Sequence, residues 1–129
     1  LRHLVDALDL EGIQILTGRA ETLARDPSLR ERFDVAVSRA VGSLRVVAEL
    51  VLPFCRIGGR AILSKKGDIS HELAEATPAL ERLGGEVVEL MPVSEEVLGG
   101  RRALVVVKKV TPTPAEYPRR PGIPAKRPL

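Results

Sequence analysis

The chain has very little cysteine and no long apolar run, and both absences narrow its class. Its 129 residues include one cysteine, Cys55, which excludes an internal disulfide and a cysteine-rich zinc site. No apolar run approaches the roughly twenty residues that cross a membrane, and we find no signal-peptide pattern. Hydrophobic residues make up 44% of the sequence, enough for one buried core. The sequence therefore predicts a soluble domain in a reducing cytoplasm.

The sequence also lacks the side-chain patterns of common hydrolases and metal enzymes. The two histidines, His3 and His71, stand apart, and we assign both to the surface. No Ser/His/Asp or Cys/His arrangement, no carboxylate pair typical of hydrolases and no metal-ligand spacing occurs. The Gly-x-Gly pattern of many nucleotide-binding loops is absent as well. We therefore expect neither a hydrolase nor a metal site.

Proline is concentrated at the C-terminal end. Six of the ten prolines lie in residues 111–129, which we call the tail. Because proline fixes φ and removes backbone donors, the tail should be extended, neither helix nor interior strand. It carries four basic residues and one acid: Arg119, Arg120, Lys126, Arg127 and Glu116. An extended basic arm suits a polyanion such as RNA, although a solvated end explains the same composition.

Apolar periodicity predicts alternating helices and strands. One amphipathic helix opens the chain and ends near Leu10, two short helical turns follow within 20–32, and longer helices run from Leu44 to Cys55 and from Ser70, with Pro78 as a kink. The predicted strands are 13–16, 34–38, 60–64, 86–90 and 104–107, with Gly58–Gly59 as a stop before the third. This alternation predicts an open α/β sheet whose last strand, which no helix precedes, is antiparallel.

Polar clusters follow the first three predicted strands, at 17–21, 38–40 and 65–67. In open α/β sheets, ligands gather at the carboxyl ends of the parallel strands, so the clusters should share one rim. Arg39 stands out because an arginine that leaves a buried strand needs a carboxylate, a phosphate or a base edge. An ion pair with Glu21 or Asp34 is the structural alternative.

The polar clusters of this rim also contain Glu21, Lys66 and Lys65. Glu21 can accept hydrogen bonds from a ligand, but in the first turn of a helix it also favours the helix dipole. Lys66, beside Gly67, is able to approach a phosphate or a guanine oxygen, whereas we expect Lys65 to be solvated.

Five segments, taken together and in order, resemble a known family. They are Gly18-Arg19-Ala20-Glu21, Phe33-Asp34-Val35-Ala36-Val37-Ser38-Arg39-Ala40, Lys66-Gly67, Arg102-Ala103-Leu104-Val105-Val106-Val107-Lys108-Lys109 and Tyr117-Pro118-Arg119-Arg120-Pro121-Gly122. This pattern resembles the bacterial 16S rRNA (guanine-N(7))-methyltransferases, also called the glucose-inhibited division protein B family. The resemblance implies a Rossmann-like, S-adenosylmethionine-dependent enzyme that methylates one guanine of small-subunit rRNA.

The resemblance also implies roles for individual residues. By position, Ala20 and Glu21 would border the adenine end of the cofactor, and Arg39 would lie near its methionine end. The implied RNA contacts are Lys66, Arg102, Arg119 and Arg120. No catalytic base is implied, because the N7 lone pair of guanine is already free to attack the methyl group.

The chain departs from the family at its start. Family members have a helical portion, then a first strand with a Gly-rich loop and a second strand with an acidic residue, and none of these is found here. We therefore interpret residues 1–110 as the C-terminal part of the methyltransferase domain, with an incomplete sheet, and 111–129 as its basic tail. Two strands would lie between 13–16 and 34–38 in the complete fold, so these two should pair with each other or leave exposed edges.

This interpretation sets expectations for the protein as a whole. The complete enzyme should be a monomer without metal or membrane contact, whereas this chain alone should be inactive and prone to self-association. Two alternatives stay open. The chain is a non-catalytic RNA- or ribosome-binding module, or it belongs to another Rossmann-like enzyme in which the tail is incidental.

Overall fold

The computed structural model describes residues 1–39, 42–94, 100 and 102–129. The helices are α1 (Arg2–Ala7), α2 (Ala20–Leu23), α3 (Leu44–Val51), α4 (Ser70–Arg82) and α5 (Ile123–Lys126), and the strands are β1 (Phe33–Arg39), β2 (Cys55–Lys66), β3 (Gly85–Val93) and β4 (Arg102–Lys109). Ala40 of one predicted polar cluster lies outside the described residues, as do residues 95–99 and 101 between β3 and β4. Within the described ranges, no helix has the length and apolarity to cross a membrane.

The four strands form one mixed sheet in the order β1-β2-β4-β3. β1 and β2 are parallel and are joined through α3, as a crossover connection requires. β4 is antiparallel to both of its neighbours, β2 and β3. The predicted antiparallel last strand is therefore confirmed, and the carboxyl ends of β1 and β2 lie at the same edge of the sheet as the start of β4.

The core lies between the sheet and the two longer helices, α3 and α4, which pack against each other. The buried apolar residues of α3 are Leu44, Val46, Val47 and Ala48, and three of them, Leu44, Val47 and Ala48, belong to the core cluster. β4 is buried at Val105, Val106 and Val107 in succession, so side chains on both faces of this strand are covered. The central members of the core are Leu44, Val47, Leu52, Leu63, Leu80, Leu83, Val105 and Val107.

β2 is longer than predicted. Cys55, expected at the end of a helix, begins this strand, because α3 gives way to a 3₁₀ turn at Leu52–Phe54 that contains Pro53. The pair Gly58–Gly59, expected to stop a helix, lies inside the strand. A Cβ on Gly59 would come within 2.8 Å of the Asp34 carbonyl oxygen. Glycine therefore permits the close approach of β2 to the start of β1.

The predicted strand at 13–16 is wrong. These residues form no regular structure, and Ile13 and Leu16 are about half exposed. A strand needs a hydrogen-bonded neighbour, and β1 pairs only with β2 among the described residues. β1 is therefore an edge strand whose Val37 is 73% exposed. Of the two expected outcomes, an exposed edge is the one observed, and self-association through it stays a prediction.

We expected the tail to be extended throughout, but it is docked and partly helical. Gly122 takes φ +83°, and α5 follows it with Pro124 in the first turn, where the missing N–H of proline costs nothing. Thr113, Tyr117, Pro118 and Pro124 are buried. The end of the chain therefore belongs to the packed body of the molecule.

Candidate functional site

Arginines near α2 hold the backbone of the tail. Arg30 donates to the carbonyl oxygens of Tyr117 (2.8 Å) and Thr113 (2.9 Å), and Arg25 donates to that of Pro118 (2.6 Å). A guanidinium presents five donors in a fixed fork, so one side chain can satisfy several carbonyls of a proline-rich segment. This segment has few donors of its own, so donors from elsewhere in the fold satisfy its carbonyl acceptors.

Three of the predicted site residues meet in one cavity, which we call the basic cavity. Arg39 is the last residue of β1, Lys66 is the last residue of β2, and Lys66 pairs in register with Arg102 at the start of β4. The cavity has a volume of about 330 Å³ and is lined by Arg39, Gly42, Ser64, Lys65, Lys66, Glu72 and Arg102. The sheet edge thus joins one predicted cofactor residue with two predicted RNA contacts.

We expected Lys65 to be solvated, but its ammonium group is bound within the protein. Its Nζ lies 2.7 Å from Glu72 Oε1 and donates to the Gly42 carbonyl oxygen at 2.8 Å. Glu72 also accepts from the backbone N–H of Leu44 and so satisfies the first turn of α3, where the Ser43 hydroxyl makes no capping bond. Glu72, the one acid among the described residues that line the cavity, is therefore matched by Lys65, and Arg39, Lys66 and Arg102 leave this lining positively charged.

Neither predicted ion pair of Arg39 forms. Glu21 is bonded to Arg19, Asp34 is bonded to Arg56, and the Arg39 side chain is exposed at the cavity. Arg102 has a buried Nε with no hydrogen-bond partner among the described residues. A buried donor without a partner is costly, so an anionic or carbonyl-bearing ligand would be stabilised here.

A second cavity, the tail cavity, lies beside the start of α2. It has a volume of about 340 Å³ and is lined by Gly18, Arg19, Ala20, Glu21, Gly42, Val46, Leu50, Pro124 and Ala125. Gly42 lines both cavities, so the two are neighbours. Ala20 and Glu21, the predicted residues at the adenine end of the cofactor, therefore lie next to the basic cavity but not in it.

Glu21 is only 3% exposed and is held from two sides. Its Oε1 accepts from Arg19 Nη2 at 2.8 Å and from the backbone N–H of Gly122 at 3.0 Å. Burial by itself would raise the pKa of this carboxyl, but the hydrogen bonds from Gly122 and Arg19 hold it below its ordinary value. Glu21 is therefore ionised at neutral pH and links the start of α2 to the tail.

The two predicted RNA contacts of the tail differ in their surroundings. Arg119 lies against Glu49 of α3, whose carboxylate is fully buried and accepts from the Nε and Nη2 of Arg119. Arg120 is exposed. Glu49 was not identified from the sequence. An acid between the core residues Ala48 and Leu52 nevertheless indicates a buried carboxylate that needs a cationic partner.

Lys109 was missed in the same way. It closes the apolar strand β4, is fully buried, and its Nζ lies 3.0 Å from Glu31 Oε1 and 2.9 Å from the Leu52 carbonyl oxygen. Burial lowers the pKa of Lys109, and the Glu31 carboxylate partly offsets this effect. Within the described residues, no group of three or more His, Cys, Asp or Glu side chains is arranged to hold a metal ion.

Comparison with known proteins identifies the family. The family model described as GidB, rRNA small subunit methyltransferase G, matches residues 1–105. The chain belongs to this family. It is 49% identical over 129 residues to the Ribosomal RNA small subunit methyltransferase G of Roseiflexus sp. (strain RS-1), and the match covers 100% of this chain and 55% of that protein. The chain thus spans about half the length of the curated relatives it matches.

Solved structures show the same fold. The Methanococcus jannaschii fibrillarin pre-rRNA processing protein superposes with a TM-score of 0.59 at 22% identity, covering 85% of this chain and 52% of that one. The M1.HpyAVI-SAM complex gives a TM-score of 0.53 at 13% identity, covering 77% and 54%. The predicted α/β fold with an incomplete sheet is confirmed. The region that superposes on this GidB-family chain is about half of each of the two solved structures.

Proposed function

We propose that the complete gene product containing these residues transfers a methyl group from S-adenosylmethionine to N7 of a guanine in 16S rRNA. Membership of the GidB family supports this reaction. The observation that carries it is the basic cavity, in which Arg39, Lys66 and Arg102 converge at the carboxyl ends of the parallel strands.

The residues present fit the two ends of this cofactor. The tail cavity offers Val46, Leu50 and Ala20 to the flat, largely apolar faces of an adenine base. Arg39, which has no carboxylate partner among the described residues, suits the carboxylate of the methionine portion. When bound, S-adenosylmethionine supplies an activated methyl group on its sulfonium centre. Arg39 then orients that end of the cofactor towards the basic cavity.

The chemistry asks the protein for positioning rather than proton transfer. Methyl transfer forms the N7–carbon bond and breaks the sulfur–carbon bond, and no proton has to leave N7. An arginine guanidinium has no hydrogen-bond acceptor to offer, so Arg39 acts by binding and orientation. We assign Lys66 and Arg102 to the RNA, where they bind a phosphate or the guanine oxygen beside N7 and so hold the base in line.

The tail adds a further part to this proposal. Arg120 is exposed and free to meet a phosphate, whereas Arg119 reaches RNA only with the part of its guanidinium that Glu49 leaves available. In this view residues 1–110 carry the domain and 111–129 a docked basic tail. We propose the bacterial cytoplasm as the compartment, which suits the free, buried Cys55, and we propose a monomer as the working state.

A methyl-transfer assay on small-subunit RNA with the complete gene product tests this function. Arg39→Ala should lower kcat/KM by at least tenfold, because it removes a charge at the reacting centre. Arg60→Ala is the matched control, since Arg60 is an exposed arginine in the middle of β2, away from both cavities. Equal rates for the two variants would reject the role of Arg39. RNA binding by the unsubstituted protein without any methyl transfer would favour the binding-module alternative.

A further inference from the structure

The C-terminal segment Arg119–Leu129 lines the cavity that holds the predicted cofactor residues. Pro124 and Ala125 of α5 face Ala20 and Glu21 across the tail cavity. These residues are separated by about a hundred positions in the sequence, and only the docking of the tail brings them together. The segment is thus part of a concave surface and does not simply cover the outside of the fold.

Three separate contacts hold this segment in place. Glu21 Oε1 accepts from the N–H of Gly122, the residue from which α5 begins. Arg119 forms a two-point ion pair with the buried Glu49. Arg45 Nη1 donates to the carbonyl oxygen of Leu129 at 3.1 Å. Because these anchors lie at the start, the middle and the end of the segment, α5 is fixed against α3.

The contacts of Glu21 indicate what this residue does. Its side chain is almost wholly buried, and the same oxygen, Oε1, serves both Arg19 and Gly122. A carboxylate used in this way orders two backbone segments, the start of α2 and the start of α5. Apart from Arg19 and Glu21, the side chains that line the cavity are apolar: Ala20, Val46, Leu50, Pro124 and Ala125.

We propose that the segment Arg119–Leu129 forms one wall of the cofactor site, and that Glu21 is a positioning residue that seats this wall. This inference rests on the proposed function, which supplies S-adenosylmethionine as the ligand. The tail is then required for cofactor binding as well as for any contact with RNA. Gly42 lines both the tail cavity, which this wall bounds, and the basic cavity. The two binding sites are therefore contiguous.

The wall is tested by filling the cavity from its tail side. Ala125→Phe adds a ring at an exposed position of α5 that lines the cavity, and Ala115→Phe makes the same change at an exposed tail position that does not. Calorimetry with the complete gene product should show S-adenosylmethionine binding at least tenfold weaker for Ala125→Phe, and within twofold of the parent for Ala115→Phe. Circular dichroism monitors folding, and Ala125→Leu serves as a smaller second variant.

The outcomes separate this inference from the function on which it rests. A parent protein that does not bind S-adenosylmethionine would overturn the proposed function. A parent that binds it, with Ala125→Phe unchanged or both variants equally weakened, would overturn the wall alone.

Glu21→Ala tests the positioning role through a second readout. Release of Gly122 should weaken cofactor binding and at the same time speed tryptic cleavage in the absence of cofactor. The cleavable bonds follow Arg119 and Lys126, because Arg120 and Arg127 are each followed by a proline. Weaker cofactor binding without faster cleavage would mean that Glu21 contacts the ligand directly, and the positioning role would be rejected.

Discussion

Arg119 and Glu49 form a two-point ion pair between the tail and the centre of α3. Arg119 Nη2 lies 2.6 Å from Glu49 Oε2, and Arg119 Nε lies 2.9 Å from Oε1, which also accepts the backbone N–H of Arg119 at 2.8 Å. The carboxylate of Glu49 is fully buried, so Arg119 provides its counter-charge. The tail is therefore an integral part of the fold through an interaction that the proline content alone does not suggest.

Loss of this pair should be costly. Arg119→Ala leaves a buried carboxylate without its cation, and we expect the free energy of unfolding of the chain to fall by about 3 kcal/mol. Arg120→Ala removes a neighbouring exposed arginine and should change it by less than about 0.5 kcal/mol. Urea unfolding followed by circular dichroism measures both. Equal effects would show that Glu49 does not depend on Arg119.

Stability should decline in mild acid, partly through Glu31. Burial alone would raise the pKa of this carboxyl, but the Thr113 N–H and the Lys109 ammonium hold it below its ordinary value. A lowered folded-state pKa contributes stability at neutral pH, which is lost as the pH falls from about 5 through that pKa. Glu31→Gln should therefore flatten this part of the stability profile, whereas Glu86→Gln, at an exposed site, should leave it unchanged. Thermal melts between pH 7 and pH 3 measure the slopes.

Backbone approach at Gly59 should make this glycine hard to replace. An added Cβ would meet the carbonyl oxygens of Asp34 at 2.8 Å and Arg56 at 2.9 Å, and neither can swing away as a side chain does. We expect Gly59→Ala to destabilise the chain by about 1–3 kcal/mol. Gly18→Ala is the control, since its Cβ would meet only the flexible Leu23 side chain at 3.3 Å. Similar denaturation midpoints would contradict the close packing of β2 on β1.

RNA binding should depend on salt through the exposed cations. Lys66→Ala and Arg120→Ala should each reduce the slope of log affinity against log salt concentration by about 1, because each removes one phosphate contact. Arg60→Ala should leave the slope unchanged. Filter binding of small-subunit RNA by the complete gene product at several salt concentrations gives these slopes. An unchanged slope for Arg120→Ala would assign the tail to the cofactor site and the fold alone.

Local sequence patterns were sufficient for much of the fold and for part of the site. The regular spacing of Leu44, Val47 and Ala48 predicts α3, and the uninterrupted apolar run 104–107 predicts a buried strand. A charged residue directly after an apolar run identified Arg39 at the end of β1, and the same pattern identified Lys66 at the end of β2. Alternation of strands and helices then requires both residues to lie at one edge. These features depend on neighbours in the sequence, so the sequence by itself determined them.

Contacts between distant segments were decided only by the tertiary structure. Residues 13–16 have a strand-like composition, but no described strand pairs with them, so they remain irregular. Lys65 looks like a surface lysine until α4 brings Glu72 to it, and Glu21 looks like a helix-start acid until the tail brings Gly122. The composition of the tail is that of a free basic arm, yet buried acids and the guanidinium groups of Arg25 and Arg30 dock it. An unpaired buried charge is costly, so each of these residues lies where a partner from far along the chain meets it. Local sequence patterns do not identify such a partner.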